Sequence, residues 1–264
     1  MIILILIPQV LRKCLKMNQL IISADDFGLT KSVTKGIYES IVKGSVTRTS
    51  AMMCTNGLTW IKKYSGGLDG KIGLHLQLTD GIPLLPSKEI SSLINSNGNF
   101  PPQKTKHLYK VNILEIEKEW EAQMRAMLDL GITPSHIDTH HSVHQFPKVF
   151  KAYCAIAKKY KLPMRALTPN MSNKFELMGL LGSNYCFQPR FSEDLTCLSL
   201  IDQLLQAFQS INNNGIIELM CHPGYVDQDL KYRSHYLKPR EKELAIFLDP
   251  QLKVLLVENK INLI

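Results

Sequence analysis

The sequence predicts an α/β fold, an irregular TIM-like (β/α) barrel with about seven parallel strands. Three observations carry that expectation. Short apolar runs alternate with stretches of helical periodicity along most of the 264 residues, the pattern of a parallel sheet with helical crossovers. The unusual polar residues sit in or just after the apolar runs: Asp25, Asp26, His75, His140, Arg165 and His222. Acidic and imidazole groups at C-terminal strand ends mark the active face of an α/β barrel, although a doubly wound sheet would place ligands along the same edge. Finally, segments 79–110 and 168–198 are rich in Pro, Gly, Asn and Ser and read as long loops, which in compact domains tend to serve a site.

The elements follow in order. QLIISA is a β-rich run that ends abruptly in DDFG, and SVTKGIYESIVKG reads as a helix closed by Gly44 at C′. VTRTSAMM and KIGLHLQLT are the next strands. Between Asn112 and Leu130, residues Ile113, Ile116, Trp120, Met124 and Met127 recur at helical spacing, a core-facing stripe stopped by Gly131. HIDTH is a strand, Pro147 opens the helix FPKVFKAYCAIAKKY, and PMRAL, IIELMC and INLI complete about seven strands.

Composition narrows the function. The net charge of +8 comes from scattered basic residues with no nucleic-acid motif, so it describes an exterior that attracts an acidic or polar ligand, not a nucleic-acid partner. The six cysteines lie far apart without a C-x-x-C pair, which predicts reduced thiols and a cytoplasmic setting. MIILILIP is too short to span a bilayer, its charges follow instead of preceding it, and no small-residue cleavage site is evident. Residues 1–16 are therefore expected to be a short extension of doubtful functional role, or an upstream start ahead of Met17, with residues 17–264 as one domain and no membrane involved.

Four stretches can carry chemistry. In ADDFG, two carboxylates leave a buried strand, which demands a cation or a positive partner unless they merely cap a turn. Strand alternation would point them apart, and the turn at Phe27-Gly28 can redirect them, so that one binds a metal and the other faces substrate. In GLHLQLTDG, His75 stands among leucines, where a satisfied core histidine is the ordinary alternative. In HIDTHHSVH, period-two alternation puts His136, Asp138 and His140 on one face. His140 and His144 have the i,i+4 spacing of a helical zinc pair, but the glutamate of H-E-x-x-H is missing. In MCHPG, His222 occupies a Pro-Gly turn after a strand, as an acid or base or as a structural turn residue.

Taken together, ADDFGLT, VTRTSAMM, GLHLQLTDGIPL, PSHIDTHHSVHQFP, PMRAL and ELMCHPGYVD, with Arg240 and Glu243, resemble the YdjC-like carbohydrate deacetylases, which include chitooligosaccharide deacetylases. The resemblance runs from about Met17 to near the C-terminus and implies a barrel related to those of polysaccharide deacetylases. It implies a divalent metal, magnesium first and zinc second, held by Asp26, His75 and His140. Asp25 would then be the general base and His222 the acid. Arg165, Asp138 and His144 would contact substrate or support the ligands. The family pattern D-S-H-x-H-V-H departs here to D-T-H-H-S-V-H, with Ser142 at the second histidine, which leaves the three implied ligands intact.

The expected activity is removal of N-acetyl groups from acetylated amino sugars or oligosaccharides by a homodimer. The alternatives are another metal-dependent amide or ester hydrolase, or a catalytically silent sugar-binding protein on the same fold. No Gly-rich phosphate cradle favours a phosphate ester, and a binder has no need of Asp25.

Overall fold

The computed structural model describes residues 18–103, 106–190, 195–211 and 215–264; the expectations for residues 1–16, Met17 and Cys14 lie outside them. Seven strands occur among the described residues: β1 (Asn18–Phe27), β2 (Arg48–Ala51), β3 (Ile72–Leu76), β4 (Ile137–Thr139), β5 (Tyr185–Phe187), β6 (Ile216–Cys221) and β7 (Ile261–Leu263). Their order is β4-β3-β2-β1-β6-β5, with β7 on the first residues of β1, and every pairing is parallel. The expected parallel α/β barrel class is what forms, as a curled sheet with β1 at its centre.

The helices are α1 (Lys31–Val42), α2 (Leu58–Tyr64), α3 (Ile113–Asp129), α4 (Pro147–Tyr160), α5 (Pro169–Leu177), α6 (Cys197–Ser210), α7 (Gln228–Arg233), α8 (Lys238–Leu248) and α9 (Pro250–Glu258). Local chemistry sets their starts. The Thr30 side chain accepts from Val33 N–H and that of Asn112 from Leu114 N–H, while Pro147 is the first residue of α4. In α3, Ile116, Trp120, Met124 and Met127 are buried, at roughly 1.5–3 kcal/mol each for large apolar side chains. Gly44 does follow the Lys43 cap of α1, but its φ is not in the left-handed region; a Cβ there would collide with the Phe247 carbonyl, so close approach explains this glycine.

Two readings need correction. PMRAL is not a regular strand. Met164 makes single bridges to Ile137 and Gly182, and Pro163, which has no N–H, serves only as an acceptor for Ile137 N–H (2.9 Å). These bridges, with Cys186 N–H donating to Ala166 O at 2.7 Å, carry the curl from β4 round to β5. Segment 168–198, read as loop, contains α5 and β5. Thr168-Pro169 is a helix start, its hydroxyl accepting from Met171 N–H, but the Asn/Ser-rich sequence hides it. A three-residue strand such as Tyr185–Phe187 is too short to show periodicity. Segment 79–110 does remain irregular apart from short 3-10 turns at Ser87–Glu89 and Lys106–Tyr109 among its described residues.

Candidate metal centre and active site

Strand register brings the polar residues together. His75 pairs with Asp138 across β3 and β4, and Ala24 pairs with Cys221 across β1 and β6. Asp25 and His222 therefore leave adjacent strands at one level. The β1–β2 register slips between Ala24 and Phe27, and Asp26 takes φ 71° in the left-handed region. This bulge turns both carboxylates into the site without strict alternation. The redirection lies at Asp26 itself, one step before the expected turn.

Asp26, His75 and His140 converge. Asp26 Oδ1 is 3.2 Å from His140 Nδ1 and 3.6 Å from His75 Nε2, and the two nitrogens are 3.2 Å apart. Donors about 2.0–2.2 Å from one ion, at tetrahedral or octahedral angles, stand about 3 to 3.5 Å from one another. Asp26 Oδ1 is buried and no hydrogen-bond donor is aligned on it. The three groups fit a divalent cation by donor type, spacing and this unpaired oxygen.

Two of the three donors, His75 and Asp26, are aimed by neighbours. His75 Nδ1–H donates to Asp138 Oδ1 at 2.7 Å, which leaves the Nε2 lone pair for the centre; Ser50 Oγ lies 3.1 Å from the same Nδ1. Asp138 thus orients His75, and its Oδ2 lies 2.8 Å from Arg165 Nη2. Burial works to lower the pKa of His75, but Asp138 and then Asp25 outweigh it and raise it to about 9. The same negative field favours a cation in the proton's place. The Asp26 Oδ2 atom is bound by Arg240 Nη2 at 2.6 Å.

The two adjacent aspartates are driven apart electrostatically. Arg165 grips Asp25 through two bonds of 2.7 Å, yet burial, opposed by Arg165 and assisted by Asp138, leaves its pKa raised. Burial also pushes Asp26 up, but Arg240 and His140 prevail and hold it well below the usual carboxylate range. One carboxylate is thereby disposed to take a proton and the other to stay charged.

His222 directly follows β6, with its backbone N–H donating to Glu243 Oε2 and its ring edge-on to Tyr236. Its Nδ1 is buried without a partner, and burial, only partly opposed by Asp26, lowers its pKa to about 3. His144 is placed away from the three donors. The turn after β4 (His140–Gln145) is kinked by His141 and Ser142 at φ 55° and 53°, so His140 and His144 do not share an α-helical face. His144 is buried, its Nδ1 2.6 Å from Thr139 Oγ1 and its ring against Tyr153. His141 stacks on His140 and has Nε2 3.8 Å from Asp80 Oδ2.

Sequence reasoning passed over Glu218, Arg48 and Tyr236. Glu218 Oε1 is 2.8 Å from both Arg165 Nε and Arg48 Nη2, and Tyr236 O–H donates to Glu243 Oε1. A signal existed for Glu218, because a carboxylate within the apolar run IIELMC needs a buried counter-charge.

A profile of the YdjC-like protein family matches residues 19–258. This chain belongs to the YdjC-like family. A relative named carbohydrate deacetylase from Clostridium beijerinckii is 34% identical over 252 residues, 93% of this chain and 98% of its own length. A crystal structure from Enterococcus faecalis V583, described as a candidate cellobiose-phosphate cleavage protein, is 31% identical with TM-score 0.83, covering 94% of this chain and 97% of that one. A Streptococcus mutans CE4 esterase structure shares the fold at 13% identity and TM-score 0.51, with 94% and 85% covered. Within this YdjC-like chain, no helix among the described residues is long and apolar enough to cross a membrane.

Proposed function

We propose that this chain is a metal-dependent carbohydrate deacetylase that hydrolyses N-acetyl groups on amino sugars or their oligosaccharides. The observation that carries the reading is the division of Asp25 from Asp26, beside two imidazoles whose donor atoms share a centre with Asp26 Oδ1. The names of relatives such as the Clostridium protein support the substrate class.

Asp26, His75 and His140 would hold the ion. When bound there, a divalent cation supplies polarisation of the acetyl carbonyl and a lowered pKa for water. Asp25, fixed by Arg165 and raised in pKa, accepts the proton of the attacking water through lone pairs that the guanidinium leaves free. His222, on the neighbouring strand end, donates to the departing amine. Because it rests neutral, the proton it gives is the one that Asp25 has taken from the water, and its low proton affinity favours handing that proton on to the amine. Asp138 keeps His75 in one tautomer. Arg165 acts from a fully buried position through Asp25 and Asp138, and His144 acts through the Thr139 end of β4.

The resemblance puts magnesium first, whereas two imidazoles with one carboxylate suit zinc. All five described cysteines are free and buried, which supports a reducing, cytoplasmic setting; the proposed enzyme is a homodimer with a single domain over residues 17–264. Acetate release from chito-oligosaccharides, with and without chelator, tests it. The expected result is release that chelator abolishes and added metal restores. No acetate from any acetylated sugar with metal-loaded protein would sink the deacetylase reading.

A further inference from the structure

We infer that Arg240 is a positioning residue for the candidate metal centre, fixing which oxygen of Asp26 is presented to the ion and tying that carboxylate to the His222 turn. This rests on the reading of Asp26, His75 and His140 as the metal-holding set. Arg240 is 3% exposed on α8, and its guanidinium reaches three groups at once. Nη2 donates to Asp26 Oδ2 at 2.6 Å, Nε to Tyr236 O at 3.1 Å, and Nη1 to His222 O at 3.4 Å. Only a planar fork with several fixed donors can span these acceptors together.

The effect on Asp26 is specific. Its two oxygens are chemically equivalent, and rotation of the carboxylate would exchange them. Arg240 occupies Oδ2, leaving Oδ1, which has no aligned donor, as the atom facing His75 and His140. Asp26 also holds a left-handed φ of 71°, a conformation that aspartate adopts only at some cost. The ion pair to a helix 214 positions away stabilises that geometry from outside the strand. Further, the bond to His222 O sets the turn that carries the proposed proton donor relative to the proposed ligand.

Two effects of removing Arg240 oppose each other. Loss of a nearby positive charge would by itself tighten cation binding, while loss of the fork frees Asp26 to rotate. The geometry assigns Arg240 a role in which orientation prevails, as partners that hold a ligand in place are commonly worth ten- to a hundredfold in metal affinity. The test is calorimetric titration of metal-stripped protein with Zn²⁺ and with Mn²⁺, for the wild type, Arg240→Met, Arg240→Lys and His140→Ala, each with a melting curve. The expected order is tight binding in the wild type, about tenfold or more weaker in Arg240→Met, an intermediate value in Arg240→Lys, and no binding in His140→Ala.

If Arg240→Met or Arg240→Lys binds as tightly as the wild type or tighter, while His140→Ala does not bind, this inference falls and the metal centre stands. If Arg240→Met does not fold, Arg240→Lys decides, since it keeps the charge and loses the fork; wild-type affinity there overturns the proposal. A wild type that binds neither metal removes the centre and this inference with it.

Discussion

Arg165 and Arg240 hold neighbouring carboxylates in opposite surroundings. Arg165 lies inside the curled sheet, touching Asp25, Asp138 and Glu218, with Arg48 sharing Glu218 and with Ser23 Oγ 3.2 Å from Nη2. Its backbone N–H donates to Tyr153 Oη, whose O–H in turn donates to Ile137 O. Arg240 lies at the C-terminal end, paired with one carboxylate and otherwise with main-chain carbonyls. The inner network joins β1, β4, β6 and the 163–166 bridge into one body and fixes Asp25, the proposed base, within it. The outer one leaves Asp26 Oδ1 unpaired. Both pairs are buried, so the difference lies in how fully the carboxylates are engaged: Arg165 takes both oxygens of Asp25, and Arg240 takes one of Asp26.

The largest expected effect breaks the inner side. Arg165→Met strips the shared counter-charge from three buried carboxylates, and truncating one partner of a buried pair costs about 3–5 kcal/mol. The midpoint of urea unfolding should drop accordingly, with or without metal. A midpoint close to that of the wild type would show that the network is not structural.

Acid comes next. Burial, with Arg48 assisting at His136 and Arg165 at His144, lowers both pKa values to about 3. The folded protein keeps them neutral where an unfolded chain titrates at about 6.5. Their contribution is complete above about pH 7 and is lost as pH falls below ~6.5, about 2 kcal/mol per histidine by pH 5. Urea midpoints at pH 7 and 5 check this, and His144→Gln should reduce the difference. A midpoint independent of pH would contradict it.

The smallest effect concerns packing beneath the site. Gly73 on β3 faces the His136 ring so closely that a Cβ would run into it. Gly73→Ala should cost about 1–3 kcal/mol by overpacking, read as a lower melting temperature. An unchanged melt would show that the ring can move aside.

The line between what could and could not be read from sequence follows this comparison. Asp26, His75 and His140 were legible because charged and imidazole groups at apolar strand ends need a reason, and the metal reading offers one. The link between Asp26 and Arg240 depends on how α8 packs and leaves no local trace. Backbone conformation was equally silent: Asp26, Asp80, His141 and Ser142 all have positive φ, at residue types that do not require it. Those angles separate His140 from His144 and bring Asp26 round to His75, so the spacing of the histidines alone could not divide their roles.

The central claim is that Asp25 and Asp26, adjacent in sequence, do different work. Metal content and acetate release measured together on Asp25→Asn and Asp26→Asn test it most directly. Asp25→Asn should retain the metal while turnover falls at least about a hundredfold, the usual scale for losing a positioned base, and Asp26→Asn should lose both. Full turnover in Asp25→Asn, or wild-type metal binding in Asp26→Asn, would contradict it.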